Sequence, residues 1–491
     1  MCGNVAGDGH APDVILAIDQ GTTGTTSLVV DEELRVLGRG YREIHQYFPR
    51  AGWVEHDPDE IWESVLATAK EALARAGIGP TGLVAIGITN QRETTLLWDK
   101  RSGRSVYPAI VWQDRRTAER CRELPADLVR RRTGLVCDPY FSATKLEWIL
   151  ARSEQPRDRL AFGTIDSWLI WKLTAGAAHV TDPTNASRTM LLDLETLTWD
   201  DELLKLFGVE RALLPEVVSS SGVLGEADLL GAKVPIAGIA GDQQASLFGH
   251  CCFSAGDAKA TYGTGCFVLV NAGGAFEPPP DGLLATAAAV TSDAPPQYAL
   301  EGAVLTAGAA IQWLRDGLEI IGHARESEAL ARQVDSTEGV VFVPALTGLG
   351  SPHWDPEARG LVSGITRGTT RAHLVRAALE AIAFQVADVL DIYPGAIAEL
   401  RADGGATRNA FLMQFQADLL GTPVDVAVDA DTTALGAAAL AGLALGMWPD
   451  LAALTNLARI GGHYEPMMSR DEAESRKLVW RTALRRARDV D

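Results

Sequence analysis

The stretch AIDQGTTGTTSLVVD, residues 17–31, decides the fold. Val14–Ile18 is a continuous apolar run and Thr26–Val30 another, with glycine and threonine between them, so two strands joined by a tight turn are predicted. Glycines let a backbone approach a ligand closely, and exposed amides with threonine hydroxyls make an anion-binding concavity; a nearby carboxylate, here Asp19, can hold Mg²⁺ through water. The same residues serve equally well as an ordinary hairpin tip. No GxxxxGK[ST] pattern occurs, so the loop is not a P-loop. Thr26 stands just past the turn, where a phosphate-handling loop would be expected to carry a cation.

The pattern returns in ATYGTGCFVLVN, residues 260–271, again a Gly-Thr turn followed by an alternating apolar strand. Two hairpins about 240 residues apart suggest two related domains with a joint at Phe253–Gly256. A chain of 491 residues has room for both cores. With 47% hydrophobic and 22% charged residues it reads as a soluble globular protein. The net charge of −20 argues against nucleic acid, whose phosphates recruit basic patches, and means that any polyphosphate is held by local devices. Six cysteines without CxxC spacing read as reduced thiols of a cytosolic protein. Residues 1–13 carry no apolar signal-type core. Ala434–Trp448, 15 residues rich in Ala and Gly, is too short to span a bilayer and is expected to be a closely packed buried helix.

Along the chain, Asp57-Pro58-Asp59-Glu60 supplies an N-cap, a proline at N1 and a glutamate at N3, and apolar residues then recur at helical spacing until Gly77. Helix is also predicted over Thr144–Leu150. Val84–Ile88 is a buried-strand pattern running into Asn90-Gln91-Arg92-Glu93, and Val234–Ala240 runs into Gly241-Asp242-Gln243-Gln244. Ligands of open α/β sheets bind beyond the carboxyl ends of strands. A carboxylate at such an end, Asp242, can accept a hydroxyl proton during phosphoryl transfer; its plainer role is capping the next helix. Arg92 only donates and ionised Glu93 only accepts, which together suit vicinal hydroxyls. Adjacent strand residues point to opposite faces, so both reach one ligand only if the strand has already ended. Leu400–Asp403, Gly404-Gly405 and Asn409–Leu420 read as strand, tight turn and helix, with helix-start amides suited to a nucleotide phosphate.

Taken in order, GWVEHDP (52–58), GITNQRET (87–94), IVWQDRRTAE (110–119), TGLVCDPYFSATKLEWIL (133–150), DPTNASRTML (182–191), GIAGDQQASLFG (238–249), TYGTGCF (261–267), GLGSPHWDPEARG (348–360) and DGGATRNAFLMQFQADLLGTPV (403–424) resemble the glycerol kinases of the FGGY carbohydrate kinase family. The resemblance runs from about residue 14 to 480. It implies an α/β fold of two actin-like, RNase H-type domains around a central cleft, divided as residues 1–254, with the glycerol site and first hairpin, and 255–491, with the nucleotide site and second hairpin. It implies ATP and Mg²⁺ as cofactors, glycerol as substrate and sn-glycerol 3-phosphate as product. Carried over by position, Arg92, Glu93, Tyr140, Asp242 and Gln243 are glycerol contacts, Trp112 and Phe267 apolar walls, and Asp242 the general base. On the nucleotide side stand Thr22, Thr23, Gly24, Thr26, Thr264, Gly308, Gln312, Gly405 and Asn409, with Asp19 the carboxylate associated with Mg²⁺. A cytoplasmic homodimer or homotetramer without nucleic-acid partners or membrane insertion is expected.

Three departures stand out. Many bacterial members carry Arg where this chain has Thr26, and GTTG replaces a Gly-Thr-Thr-Ser run, leaving one fewer cation and one fewer hydroxyl near the phosphates. Before Val234 the chain reads Leu229-Leu230-Gly231-Ala232-Lys233, without the Gly-Gly-x-Arg pattern of the family's fructose 1,6-bisphosphate loop, so no inhibition by that effector is expected. The competing readings are a kinase for a longer polyol or a ketose, a silent polyol-binding homologue, and an actin-like ATPase without a small substrate.

Overall fold

Val14–Gln20 (β1) and Gly24–Val30 (β2) pair antiparallel, with Asp19 opposite Thr26, in a computed structural model that describes residues 13–292 and 294–488. The reading of residues 1–13 therefore lies almost wholly outside the described residues. Strand alternation sorts the side chains of the hairpin. Thr25 and Ser27 face inward, sharing hydrogen bonds with Ser64 and Thr68 at 2.7 and 2.8 Å. Val14, Leu16, Ile18 and Val29 join the same core, against Ile61, Val65, Ala69 and Leu73 of the following helix. Asp19 and Thr26 consequently occupy the opposite face of the sheet.

That helix, Pro58–Ala76 (α1), starts and stops where the sequence places it. Asp57 accepts from the Asp59 amide, and Gly77 ends the helix in the left-handed region at φ 70°. Glu60 does not close a capping box; it accepts from the His45 amide and ring instead.

Strand order in the first sheet is β5-β6-β4-β1-β2-β3, where β3 is Val36–Glu43, β4 Leu83–Asn90, β5 Ser221–Leu229 and β6 Ala232–Gly241. β4 pairs parallel with both β1 and β6, and being covered on both faces it reads as a nearly unbroken apolar run. One cover is the Thr432–Ala444 helix, the Ala- and Gly-rich stretch of the sequence. A Cβ on Gly87 would lie 2.2 Å from the Ala437 carbonyl oxygen, so the helix backbone rests directly on the strand. β5 turns into β6 through Leu230 and Gly231 alone, at φ 51° and 85°. The residues that lack the effector-loop pattern are thus a tight hairpin.

In the second sheet the order is β9-β10-β8-β7-β11-β12-β13, with β7 Ala258–Tyr262, β8 Cys266–Gly273, β9 Leu284–Ala287, β10 Tyr298–Val304, β11 Leu400–Asp403, β12 Val424–Ala427 and β13 Ile460–Tyr464. Its β10-β8-β7 strands are antiparallel, and β7-β11-β12 are parallel. The first sheet has the same plan in β3-β2-β1 and β1-β4-β6. The repeat legible in twelve residues is therefore a repeat of sheet topology.

The chain divides into two compact units. One holds the described residues through Cys251, Ala287–Pro296 and Thr433–Leu457; the other holds Cys252–Thr286, Gln297–Thr432 and the described residues from Ala458. Among the described residues the five cysteines form no disulfide, and no helix is long and apolar enough to cross a membrane.

His56 gives the first unit a pH signature. It is fully buried, with Nδ1 3.3 Å from Gln91 Nε2, and burial pushes its pKa down to about 4. The unfolded chain takes up this proton near pH 6.5 and the folded chain only near 4. Stability from the neutral ring is therefore full above pH 6.5 and is lost as pH falls towards 4. Between pH 7 and pH 5 the loss is on the order of 2 kcal/mol. Denaturation of the wild type and His56→Gln at both pH values should show their stability difference shifting by that amount; parallel pH profiles would contradict it.

Candidate active site

β4 ends at Asn90, and the chain leaves the sheet with Glu93 in the left-handed region at φ 61°. This conformation is uncommon for a residue with a side chain. It overcomes the strand alternation that would send Arg92 and Glu93 to opposite faces: Arg92 Nε lies 3.7 Å from Glu93 Oε1. Asp242 follows β6 as the first residue of a helix, Asp242–Gly249, whose N-cap is Gly241. Its Oδ1 accepts from the Gln243 amide at 2.7 Å and lies 3.3 Å from Arg92 Nε. It is therefore not the N-cap that its residue type favours. The Asp242 side chain is 31% exposed, whereas Arg92 and Glu93 are 2% exposed, so of the three Asp242 remains open to a substrate.

Two aromatic rings complete this cluster in the first unit. The Tyr140 hydroxyl accepts from Arg92 Nη2 at 3.4 Å, and Trp112 packs edge-on against Tyr140 with centroids 5.5 Å apart. Trp112 Nε1 donates to Thr22 Oγ1 at 2.9 Å, tying the aromatic wall to the tip of the first hairpin. Gln243 lies beside Asp242, largely buried. Thr23 is exposed at the tip, and Gly24 closes the turn by accepting from the Gly21 amide at 2.9 Å.

Three supporting residues escaped the sequence reading. Arg188, fully buried, donates from Nε to Glu93 Oε1 at 2.7 Å and lies over the Tyr140 and Phe141 rings. Gln244 Oε1 accepts from Arg92 Nη1 at 3.2 Å. Lys145 Nζ donates to the Tyr140 and Pro139 carbonyls at 2.6 and 3.1 Å, and burial lowers its pKa to about 8. All three fall inside motifs quoted above; the partners of Arg188 and Gln244 are 95 and 152 residues away, so spacing gave no signal, whereas Lys145 reaches carbonyls of its own motif.

Asp19 is flanked on one face by its register partners Thr26 and Thr89. No group of three or more His, Cys, Asp or Glu among the described residues could hold a metal. A single carboxylate suits Mg²⁺, which keeps several waters and takes phosphate oxygens from its substrate. Arginine at position 26 would stand directly across the hairpin from Asp19, where opposed Cβ atoms are about 5 Å apart. Thr26→Arg should lower the KM for ATP about threefold, the scale of one partly exposed charge contact. An unchanged KM would remove position 26 from the phosphate grip.

In the second unit, Thr264, Gly308, Gln312, Gly405 and Asn409 all line one cavity of about 510 Å³. The Ala307 and Ala309 amides donate to the Thr264 carbonyl, and the Gly308 amide to Gly263, which docks the helix Gly308–Asp316 on the second hairpin. Gly404, at φ 95°, brings β11 so close that a Cβ would lie 2.5 Å from the Tyr262 carbonyl oxygen. The helix lies where the Asn409–Leu420 run places it, but its first amides are not those of Gly404-Gly405. Gly405–Arg408 is a single 3-10 turn, and Asn409 caps the helix Ala410–Leu420 by accepting from Leu412. Asn409 Nδ2 also donates to Ser327 Oγ at 3.2 Å, and the Ala410 amide to Glu328; both line the cavity and neither was anticipated. Phe267 lies on β8, cross-strand from Thr261 and Ala303.

Residues 14–249 match the N-terminal domain, and residues 258–445 the C-terminal domain, of the FGGY family of carbohydrate kinases. The chain belongs to this family. Within the FGGY family it is 52% identical to glycerol kinase 2 of Thermotoga maritima, over 96% of this chain and 98% of that protein. It is also 52% identical to the glycerol kinase of Deinococcus radiodurans, over 97% of each. Among solved structures, Plasmodium falciparum glycerol kinase with ADP superposes with a TM-score of 0.91 at 35% identity, covering 97% of this chain and 98% of that one.

Proposed function

We propose that this FGGY kinase transfers the γ-phosphoryl group of ATP to glycerol, giving sn-glycerol 3-phosphate and ADP. The observation that carries the reading is the meeting of a partly exposed Asp242 with the buried Arg92–Glu93 pair, walled by Tyr140 and Trp112. Glutamate accepts from and arginine donates to neighbouring hydroxyls of a small polyol, while the rings cover its carbon face. Asp242 removes the proton of the terminal hydroxyl as its oxygen bonds to the γ-phosphorus and the bond to the ADP oxygen breaks. Gln243, beside it, and Phe267 belong to the proposed glycerol contacts.

Thr22, Thr23, Gly24 and Thr26 on the first hairpin, and Thr264, Gly308, Gln312, Gly405 and Asn409 around the second, are the proposed ATP contacts. Asp19 is the proposed carboxylate for Mg²⁺, which when bound neutralises phosphate charge. In the proposed division residues 1–254 carry the first phosphate hairpin and all the glycerol contacts but Phe267, and residues 255–491 carry the second hairpin and the other nucleotide contacts; none of these ligand residues lies in the Thr433–Leu457 segment that packs in the first unit. Cysteines outside any disulfide fit a cytoplasmic enzyme, and an assembly of two or four copies belongs to the same reading.

A panel of polyols and ketoses in a coupled ADP assay tests the substrate. Glycerol should exceed longer polyols and ketoses by at least about a hundredfold in kcat/KM, because a site built on paired polar groups rejects poorly matched hydroxyls strongly. Comparable turnover of a ketose would overturn the choice of glycerol.

A further inference from the structure

Asp182 is fully buried in the first unit, and its carboxylate is saturated with donors. It accepts from Thr184 Oγ1 at 2.8 Å, the Asn185 amide and Nδ2 at 3.0 Å each, and Ser220 Oγ at 2.6 Å. Thr184 has one hydroxyl proton and gives it to Asp182, which leaves its oxygen to accept from the Gly241 amide at 2.8 Å. Asn185, with its amide nitrogen turned to Asp182, presents Oδ1 to Asn90 Nδ2 at 2.9 Å. Gly241 and Asn90 are register partners at the ends of β6 and β4. Gly241 immediately precedes Asp242, and Asn90 stands two residues before Arg92. One carboxylate thus determines which atoms of Thr184 and Asn185 face the two strand ends that carry the cluster.

We infer that Asp182 is a positioning residue, holding the Asp242 and Arg92 strand ends in register for phosphoryl transfer through Thr184 and Asn185. The carboxylate touches no substrate; it acts by orienting two polar side chains whose remaining acceptors have only one geometry to satisfy. Displacing a reacting group by about 1 Å can cost about a hundredfold in rate, so the effect falls on kcat. For its kinetic arm the inference rests on the proposed function; its backbone arm does not.

The test compares Asp182→Asn, Thr184→Val and Thr184→Ser in the full-length protein. Thr184→Val keeps the side-chain shape but leaves the Gly241 amide without its acceptor, and Thr184→Ser restores it. Amide hydrogen exchange at Gly241 should quicken at least about tenfold in Thr184→Val and Asp182→Asn and return to the wild-type rate in Thr184→Ser. With glycerol and ATP, kcat should fall about ten- to a hundredfold in Thr184→Val and Asp182→Asn, the KM for ATP should stay within about twofold, and Thr184→Ser should recover the rate. Unchanged Gly241 exchange in Thr184→Val overturns the inference, as does a kcat within about threefold of wild type. If Asp182→Asn does not fold, the two Thr184 variants decide the matter alone. If the wild type does not turn over glycerol, the substrate reading fails by itself and the exchange arm decides the positioning role.

Discussion

Asp242→Asn should lower kcat by about 10²–10⁴-fold, the usual contribution of a positioned general base, while glycerol still binds. Asparagine matches the carboxylate in size and retains an oxygen to accept from the Gln243 amide, the bond that Asp242 Oδ1 makes at 2.7 Å. The variant loses the capacity to take up a proton from the substrate hydroxyl. Its effect therefore separates chemistry from binding: turnover collapses and glycerol titration calorimetry still yields an isotherm. Near-normal turnover would remove Asp242 from the base role, and loss of glycerol binding with turnover together would recast it as a substrate ligand only.

Arg188→Met should act differently, through the buried charge it leaves behind. Glu93 is 2% exposed; Arg188 Nε lies 2.7 Å from its Oε1 and Arg92 Nε 3.7 Å. Breaking a buried pair by removing one partner costs about 3–5 kcal/mol, because the remaining carboxylate is neither solvated nor fully paired. Methionine fills much of the volume, so the loss is electrostatic rather than a cavity. Denaturation should register that destabilisation, and the KM for glycerol should rise at least about tenfold as Glu93 loses its orientation. A variant within about 1 kcal/mol of wild type with an unchanged KM would show that Arg188 neither stabilises nor orients Glu93.

The features legible in the sequence are those specified by neighbours along the chain. Gly21–Gly24 and Gly263–Gly265 mark their hairpins because the turn chemistry and the flanking strand patterns are local. Asp242 and Arg92 are visible as polar residues at the ends of apolar strands. Arg188 is not, because its partner Glu93 is 95 residues away and nothing in DPTNASRTML says which residue the arginine meets. Nor is the left-handed backbone of Glu93, which the surrounding contacts impose on a residue whose own preference is otherwise. The helix from Asn409 was legible because asparagine is a favoured cap; that Gly404-Gly405 lead into a 3-10 turn at Gly405–Arg408 rather than supply the helix-start amides was not. The return of the Thr432–Ala444 helix to the first unit rests on close approach to Gly87, a contact between the two halves of the sequence that no local window contains.

The central claim is most directly tested by following ADP formation by the purified protein with ATP and Mg²⁺, with and without glycerol, and identifying the phosphorylated product. Glycerol should stimulate ADP release strongly, with one sn-glycerol 3-phosphate formed for each ADP. ADP release at the same rate without glycerol, and no glycerol phosphate among the products, would contradict it.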